Sequence, residues 1–297
     1  MRMTSVSQLV RSPVEVSQEL TNHCNLNCVM CFRESMTREK GLMDFDLAKR
    51  AIDGLKAFPK ALFLPQGFGE SLMYPDFVDV LRYARSVLPN TIAMITNGTL
   101  LTPEISSQIV QESLADVIVF SVESADKGQY EQIRRGGDFE SLVANITSLF
   151  EIRRSLGVVK PRICIRGVAA DDGSSTVESL QGLWGEFLSS GDQIAVNEFR
   201  SWGGIADQDS LGAETKRKTG RIRRLACRQL FRTFMIGFNG DVTPCCYDFD
   251  FSLRIGNITE SSFKSLWMGS ELARLRDLHL RGRFAEIPLC SQCKDWE

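Results

Sequence analysis

The chain has 297 residues, 35 basic and 37 acidic side chains, and a formal net charge of −2. That length buries a full core and exceeds one small module, so one large or two unequal domains are expected. The balanced charge gives no pull toward nucleic acid or anionic membrane, Met1 to Val14 hold no apolar signal segment, and no apolar run spans a bilayer. A soluble cytoplasmic enzyme with neither nucleic-acid nor membrane partners is expected.

In chain order, short β-branched runs predict strands at Val14 to Leu20, Ala61 to Pro65, Ile92 to Thr96, Val117 to Val122, Arg162 to Val168 and Ile194 to Phe199. Amphipathic runs predict helices between them at Asp44 to Ala57, Phe77 to Val87, Pro103 to Glu112, Phe139 to Leu156 and Val177 to Leu188. Asp44-Phe45-Asp46 and Thr102-Pro103-Glu104 read as helix starts, with a cap or proline in front and an acid in the first turn. Alternating strands and helices argue for parallel βα units. Six are too few to close a barrel of eight, so an open, curved sheet is expected, with its site at the carboxyl ends of the strands. After Phe199 the pattern breaks into a polar linker, residues 201–226. The rest, 227–297, contains a hairpin (Thr233 to Phe238, an Asn239-Gly240 turn, Asp241 to Cys245) and a helical run from Ser262 to Leu280.

The first strand runs into Cys24, Cys28 and Cys31, a C-x3-C-x2-C loop. Three thiolates leave one iron of a 4Fe-4S cluster without a protein ligand, and an open metal position is where chemistry is done. A zinc knuckle needs a fourth ligand. Only His23 is adjacent, and it points away from Cys24 if the segment is extended. With two histidines in the chain, His23 and His279, a histidine-rich metal site or a Ser-His-Asp triad is nearly excluded. Nine cysteines in a chain of this length read as cluster thiolates in a reducing compartment rather than as a disulfide framework.

This loop resembles that of the radical S-adenosylmethionine (radical SAM) enzymes. The resemblance implies a partial (β/α)6 barrel over residues 14–200 and SAM bound at the open iron, where it is cleaved to methionine and a 5'-deoxyadenosyl radical. An external reductant such as flavodoxin or ferredoxin is implied as well. Phe32 follows the loop. Gly67-Phe68-Gly69-Glu70 after the second strand is similar to the family's Gly-Gly-Glu, with Gly69 and Glu70 toward the SAM ammonium. Asn97 in Thr96-Asn97-Gly98 resembles a third family motif. Ser121 is a candidate for the SAM carboxylate, Glu123 for the ribose, and Arg134 for the carboxylate, which a planar guanidinium suits. Arg166 on the fifth strand is a further cofactor candidate.

Cys227, Gly240, Cys245, Cys290 and Cys293 resemble the family's C-terminal iron–sulfur extension, called SPASM in its long form and twitch in its short form. The short form is expected, with a second, auxiliary 4Fe-4S cluster on Cys227, Cys245, Cys290 and Cys293; a four-cysteine zinc site is the rival. Cys164 reads as a small core residue. Cys246 follows a ligand and, in an extended backbone, faces the other way. The preferred reading is therefore epimerisation of a sugar or aminoglycoside-type carbon, with Cys246 returning the hydrogen atom. Asp248 and Asp250 are then expected to meet a polycationic small-molecule substrate. Dehydrogenation of an alcohol carbon and modification of a ribosomal peptide are the alternatives. The basic stretch Lys216 to Arg224 reads as a solvated face rather than an RNA site.

Overall fold

The computed structural model describes residues 10–169, 173–198, 224–293 and 295. Its parallel strands are β1 (Glu15–Gln18), β2 (Leu62–Leu64), β3 (Ala93–Thr96), β4 (Val117–Ser121), β5 (Arg162–Ala169) and β6 (Gln193–Glu198). The expected boundaries hold to within a few residues. β1 pairs with β2, and β3 to β6 form a second parallel sheet. A single parallel bridge, Phe63 to Ile92, carries the curve from one sheet to the other, giving the open, curved arrangement the strand count called for.

Helices α1 (Phe45–Gly54), α2 (Phe77–Val87), α3 (Pro103–Gln111), α4 (Lys127–Ile133), α5 (Phe139–Ser155) and α6 (Ser174–Trp184) separate the strands. The Asp44 carboxylate accepts from the amides of Asp46 and Leu47, and Thr102 caps α3 ahead of Pro103, each cap stabilising its helix by about 1 kcal/mol. The apolar stripe of α2, Phe77, Val80, Leu81 and Ala84, is buried against the sheet. Alternation on β1 sends Val16 and Gln18 outward, where Gln18 Nε2 donates to the Ala48 carbonyl of α1 at 3.1 Å. α4 is absent from the sequence-based expectation. Its seven residues bury only Tyr130, too little to register as an amphipathic run.

β7 (Thr233–Ile236), β8 (Asp241–Thr243) and β9 (Gly256–Asn257) follow. The expected hairpin forms at Asn239-Gly240, where Gly240 holds φ +85°. Less expected, β7 pairs in parallel with the free edge of β1, Glu15 to Thr233 through Gln18 to Ile236. The C-terminal hairpin thus extends the barrel's own sheet. The helical run breaks into α7 (Phe263–Trp267) and α8 (Ser270–Leu280), joined at Met268-Gly269; a Cβ on Gly269 would meet the Ser265 carbonyl at 2.9 Å. The short α9 (Pro288–Gln292) ends the described helices. Most of the expected 201–226 linker, and all of its basic run before Arg224, lies outside the described residues.

Asp116, just before β4, shows what holds the sheet's amino-terminal edge. Its carboxylate accepts from Arg85 (2.8 Å), Lys160 (2.9 Å) and the Ile92 amide (3.0 Å). Burial works against its charge, but these donors outweigh burial and draw its pKa down to about 2. The folded value lies below the ordinary value of about 3.9, so this stabilisation is present at neutral pH and is lost as pH falls from about 4 to about 2. Melting temperatures at about pH 6 and about pH 2.5 are expected to differ less in Asp116→Asn than in the wild type. An equal drop in both would contradict this role.

Candidate active site and cluster-binding loops

The carboxyl ends of the strands enclose a cavity of about 400 Å³. Cys24, Cys28 and Cys31 line it together with Phe32, Gly69, Glu70, Asn97, Ser121 and Arg134, so most of the residues singled out along the sequence meet at one place. Met30, Gln66, Val168, Asn197 and Tyr247 complete much of the wall. The strand-end rule accounts for this convergence, because each of the first four strands delivers its loop to the same rim.

Close backbone approach builds the rim. A Cβ on Gly69 would lie 2.3 Å from the His23 carbonyl oxygen and 2.6 Å from that of Thr21, so only glycine lets the second loop lie against the start of the cysteine loop. The Glu70 amide then donates to the His23 carbonyl at 2.8 Å. Glu70 itself is buried. Its carboxylate accepts from Thr96 Oγ1 (2.8 Å), the Asn97 amide (2.8 Å) and the Leu72 amide (3.2 Å), while burial raises its pKa. Asn97 reaches the cysteine loop through Asn25 (3.0 Å).

Glu123 does not line the cavity. Its carboxylate forms a two-pronged ion pair with Arg134, both contacts at 2.5 Å, and the glutamate side chain is 1% exposed. Burial opposes the guanidinium's charge, yet the Glu123 carboxylate outweighs it and holds the Arg134 pKa above its ordinary value. The Nη1 of Arg134 lies 3.5 Å from Cys28 Sγ. Arg166 pairs in register with Ser121 and Ala195 but does not line the cavity; its Nη2 lies 3.9 Å from Cys164 Sγ, and its Nε has no hydrogen-bond partner among the described residues.

Sequence reasoning missed a buried hub beside the rim. Glu19, at the end of β1, has a fully buried side chain that pairs with both terminal nitrogens of Arg38 (2.6 and 2.5 Å) and accepts from the Phe68 and Phe238 amides. Arg38 Nε donates to the Phe249 carbonyl, and its guanidinium lies over the rings of Phe251 (4.9 Å) and Phe68 (5.5 Å). Phe32 stacks on Phe249 with centroids 4.7 Å apart. An acid closing an apolar strand is the one sequence signal of this hub; its partners come from three distant segments.

One expectation changes here. Cys246 is absent from the cavity wall, which takes Tyr247 from this stretch. After β8 the chain turns at Cys246-Tyr247 instead of staying extended, so strand alternation does not apply. The Cys246 side chain is half-buried, and loss of solvation pushes its pKa up to about 12, with Glu15, Cys227 and Asp295 raising it further. Asp248 is 1% exposed and accepts from Thr243 Oγ1, the Ser252 amide and hydroxyl, and the Leu253 amide. Asp250 accepts from Thr37 and from the Arg38 amide. Both carboxylates thus accept hydrogen bonds from within the chain.

The residues present fit iron–sulfur chemistry in their donor set. Three thiols share the cavity wall, and burial raises Cys28 and takes Cys31 to about 11, so a metal must draw off their protons. At the other end of the chain Cys227 is an electrostatic neighbour of Cys245, Cys246, Cys290 and Cys293, and burial pushes Cys290 to about 12. Among the described residues no group of three or more His, Cys, Asp or Glu side chains is arranged to hold one metal ion. A four-iron cluster spreads its thiolates more widely than a single tetrahedral ion does.

Comparison with known proteins agrees with this geometry. The radical SAM superfamily model matches residues 19–172, and the SPASM model, an iron-sulfur cluster-binding domain, matches residues 227–294. The chain is 29% identical over 54% of its length to a tungsten-containing aldehyde ferredoxin oxidoreductase cofactor-modifying protein of Pyrococcus furiosus, and spans only 45% of that relative. It is 26% identical over 91% of its length to the AdoMet-dependent heme synthase of Methanosarcina barkeri, covering 86% of it. Identity to the mycofactocin maturase MftC of Mycolicibacterium smegmatis is 24% over 95% of this chain and 77% of that one. Among solved structures, BtrN in complex with AdoMet and 2-DOIA has a TM-score of 0.64 at 16% identity, over 95% of this chain and 93% of that one. Streptococcus suis SuiB bound to precursor peptide SuiA has a TM-score of 0.68 at 15% identity, over 89% of this chain and 66% of that one. With the cysteine loop, the rim and both family models in agreement, the chain belongs to the radical SAM superfamily and is a radical SAM enzyme with a C-terminal SPASM-type iron–sulfur domain.

Proposed function

We propose that this radical SAM enzyme modifies a peptide at a C–H bond, ahead of the epimerisation of a sugar or aminoglycoside carbon. The observation carrying this choice is the position of Cys246. An epimerase of the expected kind needs its hydrogen donor on the cavity wall, and Cys246 is not among the residues that line it. The likeness to MftC over most of the chain, and to SuiB as solved with a precursor peptide, supports the peptide reading.

In this reading Cys24, Cys28 and Cys31 would hold a 4Fe-4S cluster with one iron left for SAM, and together the two would supply reductive SAM cleavage, the source of the radical that takes hydrogen from a C–H bond. Gly69, Glu70, Asn97 and Ser121 form the SAM side of the cavity. Glu70 keeps its carboxylate fixed through Thr96 and the Asn97 amide, so its role is to hold the rim that meets the SAM ammonium. Glu123 aligns Arg134 between the cluster loop and the SAM carboxylate. Phe32, clamped by Phe249, closes the wall beside the cysteines. Cys227, Cys245, Cys290 and Cys293 hold a second, auxiliary cluster, with all four outer positions met by protein.

The test offers the anaerobically reconstituted enzyme, with SAM and dithionite, two kinds of deuterated substrate: short peptides encoded beside its gene, and aminoglycosides. Deuterium arriving in 5'-deoxyadenosine from a peptide is the expected result, read by mass spectrometry. Transfer from an aminoglycoside, with none from the peptides, would overturn the peptide reading.

A further inference from the structure

We propose that the segment from Cys245 to Phe251 couples the C-terminal cysteine site to the SAM cavity, and that Asp250 is the positioning residue that fastens the two together. The proposal rests on the assignment of the auxiliary cluster to Cys227, Cys245, Cys290 and Cys293. Cys245 stands at one end of the segment, where its sulfur accepts from the Tyr247 amide at 3.4 Å. Tyr247 itself lines the SAM cavity. Asp248 pins the turn from within, taking Thr243 Oγ1 and the amides of Ser252 and Leu253. The segment then meets the barrel through its aromatic rings: Phe249 stacks on Phe32, and Phe251 meets Phe68 edge-on with centroids 6.3 Å apart. Phe32 and Phe68 both belong to the cavity wall. One packed path therefore runs from an auxiliary-site cysteine to the surface that SAM would touch.

Asp250 is the polar fastening of that path. Its Oδ1 accepts from the amides of Thr37 (2.8 Å) and Arg38 (3.2 Å), and its Oδ2 accepts from the Thr37 hydroxyl (2.9 Å). Thr37 and Arg38 follow the short helical turn Phe32–Ser35 directly after the cysteine loop. Arg38 passes the constraint on: it donates to the Phe249 carbonyl and pairs with the buried Glu19, which also takes the Phe68 amide at 3.1 Å. A displacement of the segment is thus felt at Phe32 through ring contact and at Phe68 through Glu19. Close-packed interiors transmit such displacements because they have no slack to absorb them. A filled auxiliary site fixes Cys245 and, along this path, the wall of the SAM cavity. By linkage, SAM favours the filled auxiliary site by the same factor.

The experiment measures SAM binding by calorimetry on anaerobically reconstituted wild type, Asp250→Ala, Cys290→Ala and the double variant, with iron counted on each preparation. Asp250→Ala is expected to keep its full iron and to bind SAM about tenfold more weakly. Cys290→Ala, which opens the auxiliary site, should lose about half of its iron and weaken SAM to a similar degree. Because both changes act on one path, the double variant should also be about tenfold weaker, where independent effects would give about a hundredfold. Asp250→Asn keeps an oxygen for the Thr37 and Arg38 amides and should bind SAM like the wild type, a rescue specific to positioning. Unchanged affinity in Asp250→Ala, or an equal loss in Asp250→Asn, would overturn the role of Asp250. Losses that multiply in the double variant would overturn the coupling and leave the cluster assignment standing. Full iron in Cys290→Ala would overturn the auxiliary-cluster assignment, and the proposal with it.

Discussion

Cys28→Ala is expected to lower the iron content of the reconstituted enzyme by about half, roughly four of eight irons, and to reduce SAM cleavage by on the order of 10³-fold or more. Cys28 is the central thiol of the loop. It lines the cavity, opens onto the outer face and lies 3.5 Å from the Arg134 guanidinium. Without it two irons would lack protein ligands, and the one outer position reserved for SAM would no longer be distinct. The comparison variant is Cys164→Ala. Cys164 is buried on β5 and accepts a hydrogen bond from Gln193 at 3.3 Å, away from both groups of cysteines. Iron analysis and 5'-deoxyadenosine production should be close to wild type in that variant. Full iron retention in Cys28→Ala would refute the ligand assignment.

Glu123→Gln is expected to destabilise the fold by about 3–5 kcal/mol, because it leaves the Arg134 charge buried without its counter-ion. The pair joins the end of β4 to the segment after α4, and neither partner has another ionic partner among the described residues. Removing both charges together, with Glu123→Gln and Arg134→Met, is expected to cost less than Glu123→Gln alone, since no orphaned charge remains. SAM affinity separates the two roles: the double variant should recover stability without recovering SAM binding. Urea denaturation and SAM titration on the same preparations check this. A single-variant loss below about 1 kcal/mol would show the pair to be solvent-screened and not the buried clamp its 1% exposed glutamate suggests.

Most of the barrel was legible in the sequence because its signals are local. β-branched runs, the Asp44 and Thr102 caps and the Asn239-Gly240 turn depend on a few adjacent residues, and each forms where expected. The rim was legible for a different reason: parallel strands deliver their loops to one end, so order along the chain becomes proximity in space. What stayed hidden depended on partners far apart in sequence. Nothing beside Asp250 announces that Thr37 and Arg38, more than 200 residues away, will occupy it. The placement of Cys246 failed because its argument assumed extended backbone, whereas the strand stops at Thr243. The parallel pairing of β7 with β1 was equally out of reach, since an edge strand does not name its neighbour.

That pairing bears on the order of events at the ribosome. The cysteine loop emerges early, yet the Thr37 to Asp250 contact that braces it joins residues 213 positions apart, and one edge of β1 stays open until β7 is made. At a synthesis rate of about 5–20 residues per second, the nascent loop spends roughly ten to forty seconds without Phe249 over Phe32 and without its sheet neighbour. During that interval the thiols are exposed to oxidation and to stray metal, so cluster insertion is best timed after the chain is released.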